Sequence, residues 1–205
     1  MARVTTERVQ QTKQELLDAA RLILMRDGLA NLSTRAVAKA ADTQMSQIQY
    51  HFGSKEGMLL ALFDDMNMRL VERQRDTFQN SALSVSQKWL LACDYLEEDL
   101  ASGYVQVLQE LIAAGWSNPR IAEVAREGLG HWHELIANLA QEFEEQHGSF
   151  APFSTKEIAA LVSSAFIGAE AFILLGYEDK EHPVRTALRR VGEVMAQFEE
   201  RDKKG

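Results

Sequence analysis

Residues 44–51 read Gln-Met-Ser-Gln-Ile-Gln-Tyr-His, hydrogen-bonding and soft side chains around one aliphatic residue. A glutamine amide pairs bidentately with adenine, and methionine meets a thymine methyl. Hydroxyl, imidazole and ammonium groups suit phosphate oxygens. On one short helix, Gln44, Met45, Ser46 and Gln47 would face base edges. Gln49, Tyr50, His51 and the nearby Lys55 would face the backbone. Arg35 opens the preceding segment, within reach of a guanine edge or a phosphate. Free N–H groups at a helix start capped by Ser54 also favour an anion. A solvated polar head of three helices explains the same residue types, so both readings stand here.

Other chemistries find less support. His131 and His133 are two residues apart, so on a helix they point to different faces. No HExxH motif or Cys/His constellation accompanies them, and no metal is expected. The acid runs at 97–99 and 142–145 fit solvated helix faces. The chain lacks G-x-S-x-G, P-loop and dinucleotide motifs, so neither catalytic residues nor a cofactor are expected. Cys93, the single cysteine, cannot form an internal disulfide. A reduced thiol and the absence of a signal-peptide pattern fit the cytoplasm. A helical protein-interaction module without DNA binding is the remaining alternative.

The elements that must position these residues are helices. The chain has 205 residues, is 46% hydrophobic, and holds only 3 prolines and 12 glycines, which argues against a turn-rich all-β fold. Helical periods run nearly end to end and predict an all-α fold of about nine helices. The first spans 8–27 and stops at Gly28. Short helices follow at about 34–41 and 44–50, the first capped by Ser33, the second burying Ile48. A fourth begins at Lys55. Further helices are expected at 87–101, 104–114, 119–146, 154–176 and 183–201. Asn118-Pro119 and the Ser154/Glu157 capping box mark two of the starts. Residues 78–86 read as a loop.

Net charge is −8 overall, but residues 1–60 carry +2 and the remainder −10. That asymmetry permits an anionic partner for the head alone.

The eighth helix is apolar nearly all round, with Glu170 its one mid-span charge. Lipid insertion is disfavoured by that acid and by the lack of flanking basic clusters, so no membrane partner is expected. A helix apolar on every side is otherwise buried on every side. Ala160, Ser164, Gly168 and Ala171 keep one face of it small. Leu188, Val191, Met195 and Phe198 form a heptad-like seam on the ninth helix. Two such helices per chain would build a four-helix bundle across a homodimer axis.

The stretch LSTRAVAKAADTQMSQIQYHFGSKEGMLLALF resembles the DNA-binding head of the tetracycline-repressor (TetR/AcrR) family. The first-helix run with Gly28, the Tyr50-His51-Phe52 close and the Gly53-Ser54-Lys55-Glu56 opening carry the resemblance, which covers roughly residues 10–65. It implies a helix-turn-helix head over 1–54 and a ligand-binding and dimerisation domain over 55–205. It implies that Thr34 and Arg35 contact phosphate or base, that Met45, Ser46 and Gln47 read bases, and that Tyr50, His51 and Lys55 hold the backbone. Asp42 stands where the family usually has glycine; Thr43, Gln44, Gln47 and Gln49 also depart from its pattern. These changes bear on the operator sequence rather than the binding mode.

The same resemblance implies a regulator, most often a repressor, that binds a palindromic double-stranded DNA operator as a homodimer and leaves it when a small-molecule effector binds. Phe63, Met66, Trp89, Cys93, Leu96, Trp116, Trp132 and Phe143 are candidates to line the effector cavity, with the packed core as the competing role for each. Their aromatic and methionine content points to an apolar or aromatic effector.

Overall fold

The computed structural model describes residues 2–202, and side chains from 7 to 201. Among the described residues there are nine α-helices and no strands. They are α1 (Ala2–Asp27), α2 (Thr34–Ala40), α3 (Met45–Phe52), α4 (Lys55–Phe78), α5 (Val85–Ser102), α6 (Tyr104–Gly115), α7 (Pro119–His147), α8 (Thr155–Leu174) and α9 (Val184–Asp202). A single 3-10 turn, Leu29–Asn31, falls between α1 and α2.

The helix starts follow local hydrogen bonding. Ser33 accepts from the Ala36 amide at 3.1 Å and opens α2. Ser54 accepts from Gly57 at 2.9 Å and opens α4. Asn118 accepts from Arg120 and Ile121 at 3.1 and 3.4 Å and opens α7. Ser154 and Glu157 form a reciprocal capping box. A second box, Ser84 with Gln87, starts α5 two residues before the sequence expectation.

Compactness divides the chain into two units. One unit holds residues 1–68 and 106–124; the other holds 69–105 and 125–205. In the first, Leu16, Leu17, Ala20, Ile23 and Leu24 of α1 are buried, as are Val37 and Ala38 of α2 and Ile48 of α3. The Gln106 amide donates to the Leu24 carbonyl at 3.1 Å and satisfies an end of α1. Asn118 donates to Glu56 at 2.8 Å.

The second unit is organised by α5 against α9. A Cβ on Gly192 would come within 2.9 Å of Leu90 and Trp89, so only glycine permits this approach without a shift. Trp89 is buried and donates its indole N–H to the Leu188 carbonyl at 2.6 Å. Its ring meets Phe166 of α8 edge-on, centroids 6.0 Å apart. Lys88 is buried and donates to Glu142 of α7 at 2.6 Å. Glu199 reaches back from the end of α9 to the start of α5. It accepts from the Ser84 hydroxyl at 2.7 Å, and from the Ser86 amide and hydroxyl at 2.8 and 2.6 Å.

The expectation that α8 is buried on all sides is not met within one chain. It has the length and composition of a membrane span, yet only 28% of its most apolar stretch is buried. Ala159, Ser163, Phe166, Ala169 and Glu170 face inward. Leu161, Phe172 and Leu175 are exposed on the remaining surface, and so are Ala160, Ser164 and Gly168. Val191, Val194 and Phe198 extend exposed apolar surface along α9. The reason is packing: the chain supplies neighbours for one side of α8 only.

Burial works against the charge on Glu199, but the Ser86 and Ser84 hydrogen bonds outweigh it and hold the carboxyl below its ordinary value. A depressed native pKa stabilises the fold above the unfolded pKa and ceases to do so as pH falls through the native value. Glu199→Gln should therefore cost about 1.5–3 kcal/mol in urea unfolding at pH 7. The gap from wild type should narrow as the same titration is repeated downward from pH 4.5.

Candidate nucleic-acid interface and ligand cavity

The head presents α3 with one face out. Ile48 is buried beneath it, while Met45 and Tyr50 are 53% and 71% exposed. Ser46 and Gln49 are exposed on the same side. Positions 45, 46, 49 and 50 fall on one helical face, opposite the residue that anchors the helix. Gln44 is exposed immediately before it and Gln47 is half-buried at its flank. Gln44 makes no capping bond of its own to the start of α3; its side-chain oxygen Oε1 accepts from the Ser46 hydroxyl at 3.5 Å.

Arg35 is exposed and Thr34 half-buried, both in the first turn of α2. Lys55 is exposed and donates to the Leu29 carbonyl at 3.3 Å. His51 is half-buried, its ring 4.9 Å from that of Tyr50. Burial, aided by the charge of Lys13, lowers the His51 pKa, so its ring is neutral at pH 7 and offers one N–H.

Two backbone features fix this arrangement. Asp42 joins α2 to α3 in the left-handed region, at φ 48°. Few residues other than glycine and asparagine enter that region as readily as aspartate. Gly57 is the second. A Cβ there would meet the Phe52 carbonyl oxygen at 2.1 Å, so α4 can approach the end of α3 only with glycine. The sequence run GSKEG contains this glycine, but spacing alone gave it no role.

The second unit holds a cavity of about 570 Å³. Trp89 of α5, Ile136, Leu139 and Phe143 of α7, and Ile158 and Val162 of α8 form much of its apolar wall. Val191, Val194, Met195 and Phe198 supply the α9 side, and His147, Ser149 and Phe150 close the turn after α7. Phe143 stacks on Phe150 with centroids 5.6 Å apart and meets Phe198 edge-on at 5.9 Å.

Of the eight side chains anticipated for a ligand cavity, Trp89 and Phe143 line this one. Cys93, Leu96 and Trp132 are buried core residues outside its lining, and burial pushes the Cys93 thiol up to about 11. Phe63 is buried and Met66 half-buried in the first unit. Trp116 is 84% exposed. Side-chain type marked these positions, whereas lining a cavity depends on which helices meet. Val162, Val194 and Phe150 were missed for that reason. Among the proposed dimer residues, Leu188 is buried in its own chain, and Val191, Met195 and Phe198 line this cavity. Ala171 is half-buried on α8.

Residues 16–62 match the family described as bacterial regulatory proteins, tetR family. The chain carries a head similar to that family over this span. It is a helix-turn-helix transcriptional regulator, and the matched span contains α2, α3 and their flanks. The regulator UidR of Escherichia coli K12 is 25% identical over 149 residues, 70% of this chain and 71% of its own length. The fold recurs in a transcriptional regulator from Saccharomonospora viridis, solved with choline, at a TM-score of 0.76 and 20% identity; the match covers 90% of this chain and 96% of that one. FadR of Bacillus subtilis, solved with stearoyl-CoA, matches at 0.68 and 15% identity over 89% and 96%.

The turn between α2 and α3 gives a direct test. Asp42→Ala should destabilise the protein by about 1–2 kcal/mol, because alanine enters the left-handed conformation less readily than aspartate. Asp42→Gly should be at least as stable as wild type. Thermal unfolding of both variants measures the difference.

Proposed function

We propose that this protein is a repressor of the TetR family that binds a palindromic operator as a homodimer and is released by a small-molecule effector. The observation that carries the DNA reading is the face of α3, where Met45, Ser46, Gln49 and Tyr50 are exposed together opposite buried Ile48. In this role Met45, Ser46 and Gln47 read base edges from the major groove, with Gln44 at the helix start. Thr34, Arg35, Gln49, Tyr50, His51 and Lys55 hold the flanking bases and phosphates. Residues 1–54 bind DNA, and residues 55–205 dimerise and bind the effector. The protein acts in the cytoplasm, where its DNA is.

The dimer reading rests on the uncovered face of α8 and α9. Ala160, Ser164 and Gly168 are exposed small residues, and a Cβ on Gly168 meets nothing within its own chain. The effector reading rests on the cavity of the second unit. Fold neighbours hold molecules as unlike as choline and stearoyl-CoA, so the ligand class must come from this chain's own lining.

Selection of duplexes from a random pool at physiological salt should enrich a palindrome. Arg35→Ala should lose about 1–3 kcal/mol on it if the guanidinium makes a bidentate base contact. Lys55→Ala should weaken all sequences and flatten the salt dependence. Equal enrichment of unrelated sequences by wild type and Arg35→Ala would remove the assignment. Gly168→Leu should leave the fold intact by circular dichroism and shift sedimentation from dimer to monomer.

A further inference from the structure

We propose that Asn118 and Glu56 are a positioning pair for DNA binding: their contact fixes the direction in which α3 is presented, and with it the half-site spacing that the dimer accepts. The proposal rests on reading α3 as the recognition helix of a homodimer and adds the contact that aims it.

The pair joins segments 62 residues apart. Glu56 is half-buried in the first turn of α4. Its Oε2 accepts from the Asn118 side-chain amide at 2.8 Å, and its Oε1 lies 3.8 Å from the Arg120 guanidinium. A hydrogen bond to an ionised carboxylate is among the stronger kinds. Arg120 is exposed, and its longer contact adds little. Asn118 uses its other polar atom locally: Oδ1 caps α7 by accepting from the Arg120 and Ile121 amides. One side chain therefore starts α7 and holds the start of α4.

The backbone on either side of this bond leaves little slack. Behind Asn118, a Cβ on Gly115 would come within 3.0 Å of the Ala122 Cα, so the end of α6 meets the start of α7 backbone to backbone. Near the start of α6, Gln106 holds the Leu24 carbonyl at the end of α1. From Gln106 through Val124 the chain belongs to the same compact unit as the head. Ahead of Glu56, only Gly53 and Ser54 separate α4 from α3, and Gly57 lets the first turn of α4 sit on the Phe52 carbonyl. A shift of Glu56 is thus a shift of the end of α3. Two such helices in a dimer read half-sites about one helical turn of DNA apart, so a tilt of each changes the spacing that fits. Lys55 stands beside Glu56, and a released carboxylate there would oppose the phosphates that Lys55 attracts.

The test uses the full-length protein, the operator enriched from the random pool, and the same operator with its half-sites moved apart by a single base pair. Asn118→Asp keeps a capping oxygen for α7 but cannot donate, and it sets a second carboxylate against Glu56. It should lose about tenfold or more on the enriched operator, the scale of one hydrogen bond to a charged group, and less on the lengthened one. Adding Glu56→Gln to Asn118→Asp returns the net charge of wild type and exchanges donor for acceptor. That double variant should recover both the affinity and the preference for the enriched spacing. Asn118→Ser, which caps with a shorter side chain and adds no charge, should lose the same preference, and it decides the matter where Asn118→Asp fails to fold by circular dichroism. Wild-type affinity and spacing preference in Asn118→Asp would overturn the proposal. So would an equal loss on both operators and on unrelated duplexes, which would reduce the effect to added charge. A folded double variant that recovers neither property would overturn it as well. The wild-type arm reports on the DNA reading by itself: enrichment of no palindrome ends that reading and the proposal with it, while an operator bound alike by wild type and Asn118→Asp ends the proposal alone.

Discussion

The second unit depends on the seating of Trp89. Its indole N–H is spent on the Leu188 carbonyl, its edge packs on Phe166, and part of its face lines the cavity. One side chain thereby joins α5, α8 and α9. Burying an indole without a partner for its N–H is costly, and here the partner is a backbone group of the helix it must hold. The approach is close because Gly192 offers no side chain. The cavity wall inherits its position from that contact. A bulkier residue at 192 would displace the wall as well as the helix.

The head follows a different logic. Its core is small, and the outward face of α3 is defined by what lies under it: Ile48 turns inward and the polar residues turn outward. The turn at Asp42 and the close approach at Gly57 set the directions of the helices on either side. Both are backbone constraints, and neither adds affinity for anything. They place side chains whose chemistry does the reading. Asp42 adds a carboxylate to the neighbourhood of that face, and it opposes every phosphate alike. Discrimination among sequences then falls more heavily on base contacts.

Much of this was legible in the residues. Period and punctuation located the nine helices to within a few positions at most ends, because caps such as Ser33, Ser54 and Asn118 act locally. The motif over 33–56 located the outward face for the same reason. What eluded the sequence was non-local. Residues 78–86 read as polar loop because Ser84 and Ser86 gain their significance from Glu199, more than a hundred residues away. The α8 pattern showed that the helix is apolar all round but could not say how much of it one chain would cover. Trp116 and Phe150 are both aromatic; only the meeting of helices leaves one in water and seats the other at a cavity.

The clasp of Glu199 on Ser84 and Ser86 also carries a consequence for synthesis. The start of α5 leaves the ribosome 115 residues before the carboxylate that completes it. At ordinary elongation speeds of 5–20 residues per second that gap lasts roughly 6–23 s. Through that interval the amide and hydroxyls of the α5 start must be served by water, and Trp89 has no carbonyl from α9 to meet. The three head helices meet their neighbours early in translation, but the second unit closes only with its last helix. A nascent chain stalled before residue 199 would carry a formed reading head on a body still exposing its apolar seam, and that seam is the surface a chaperone would find.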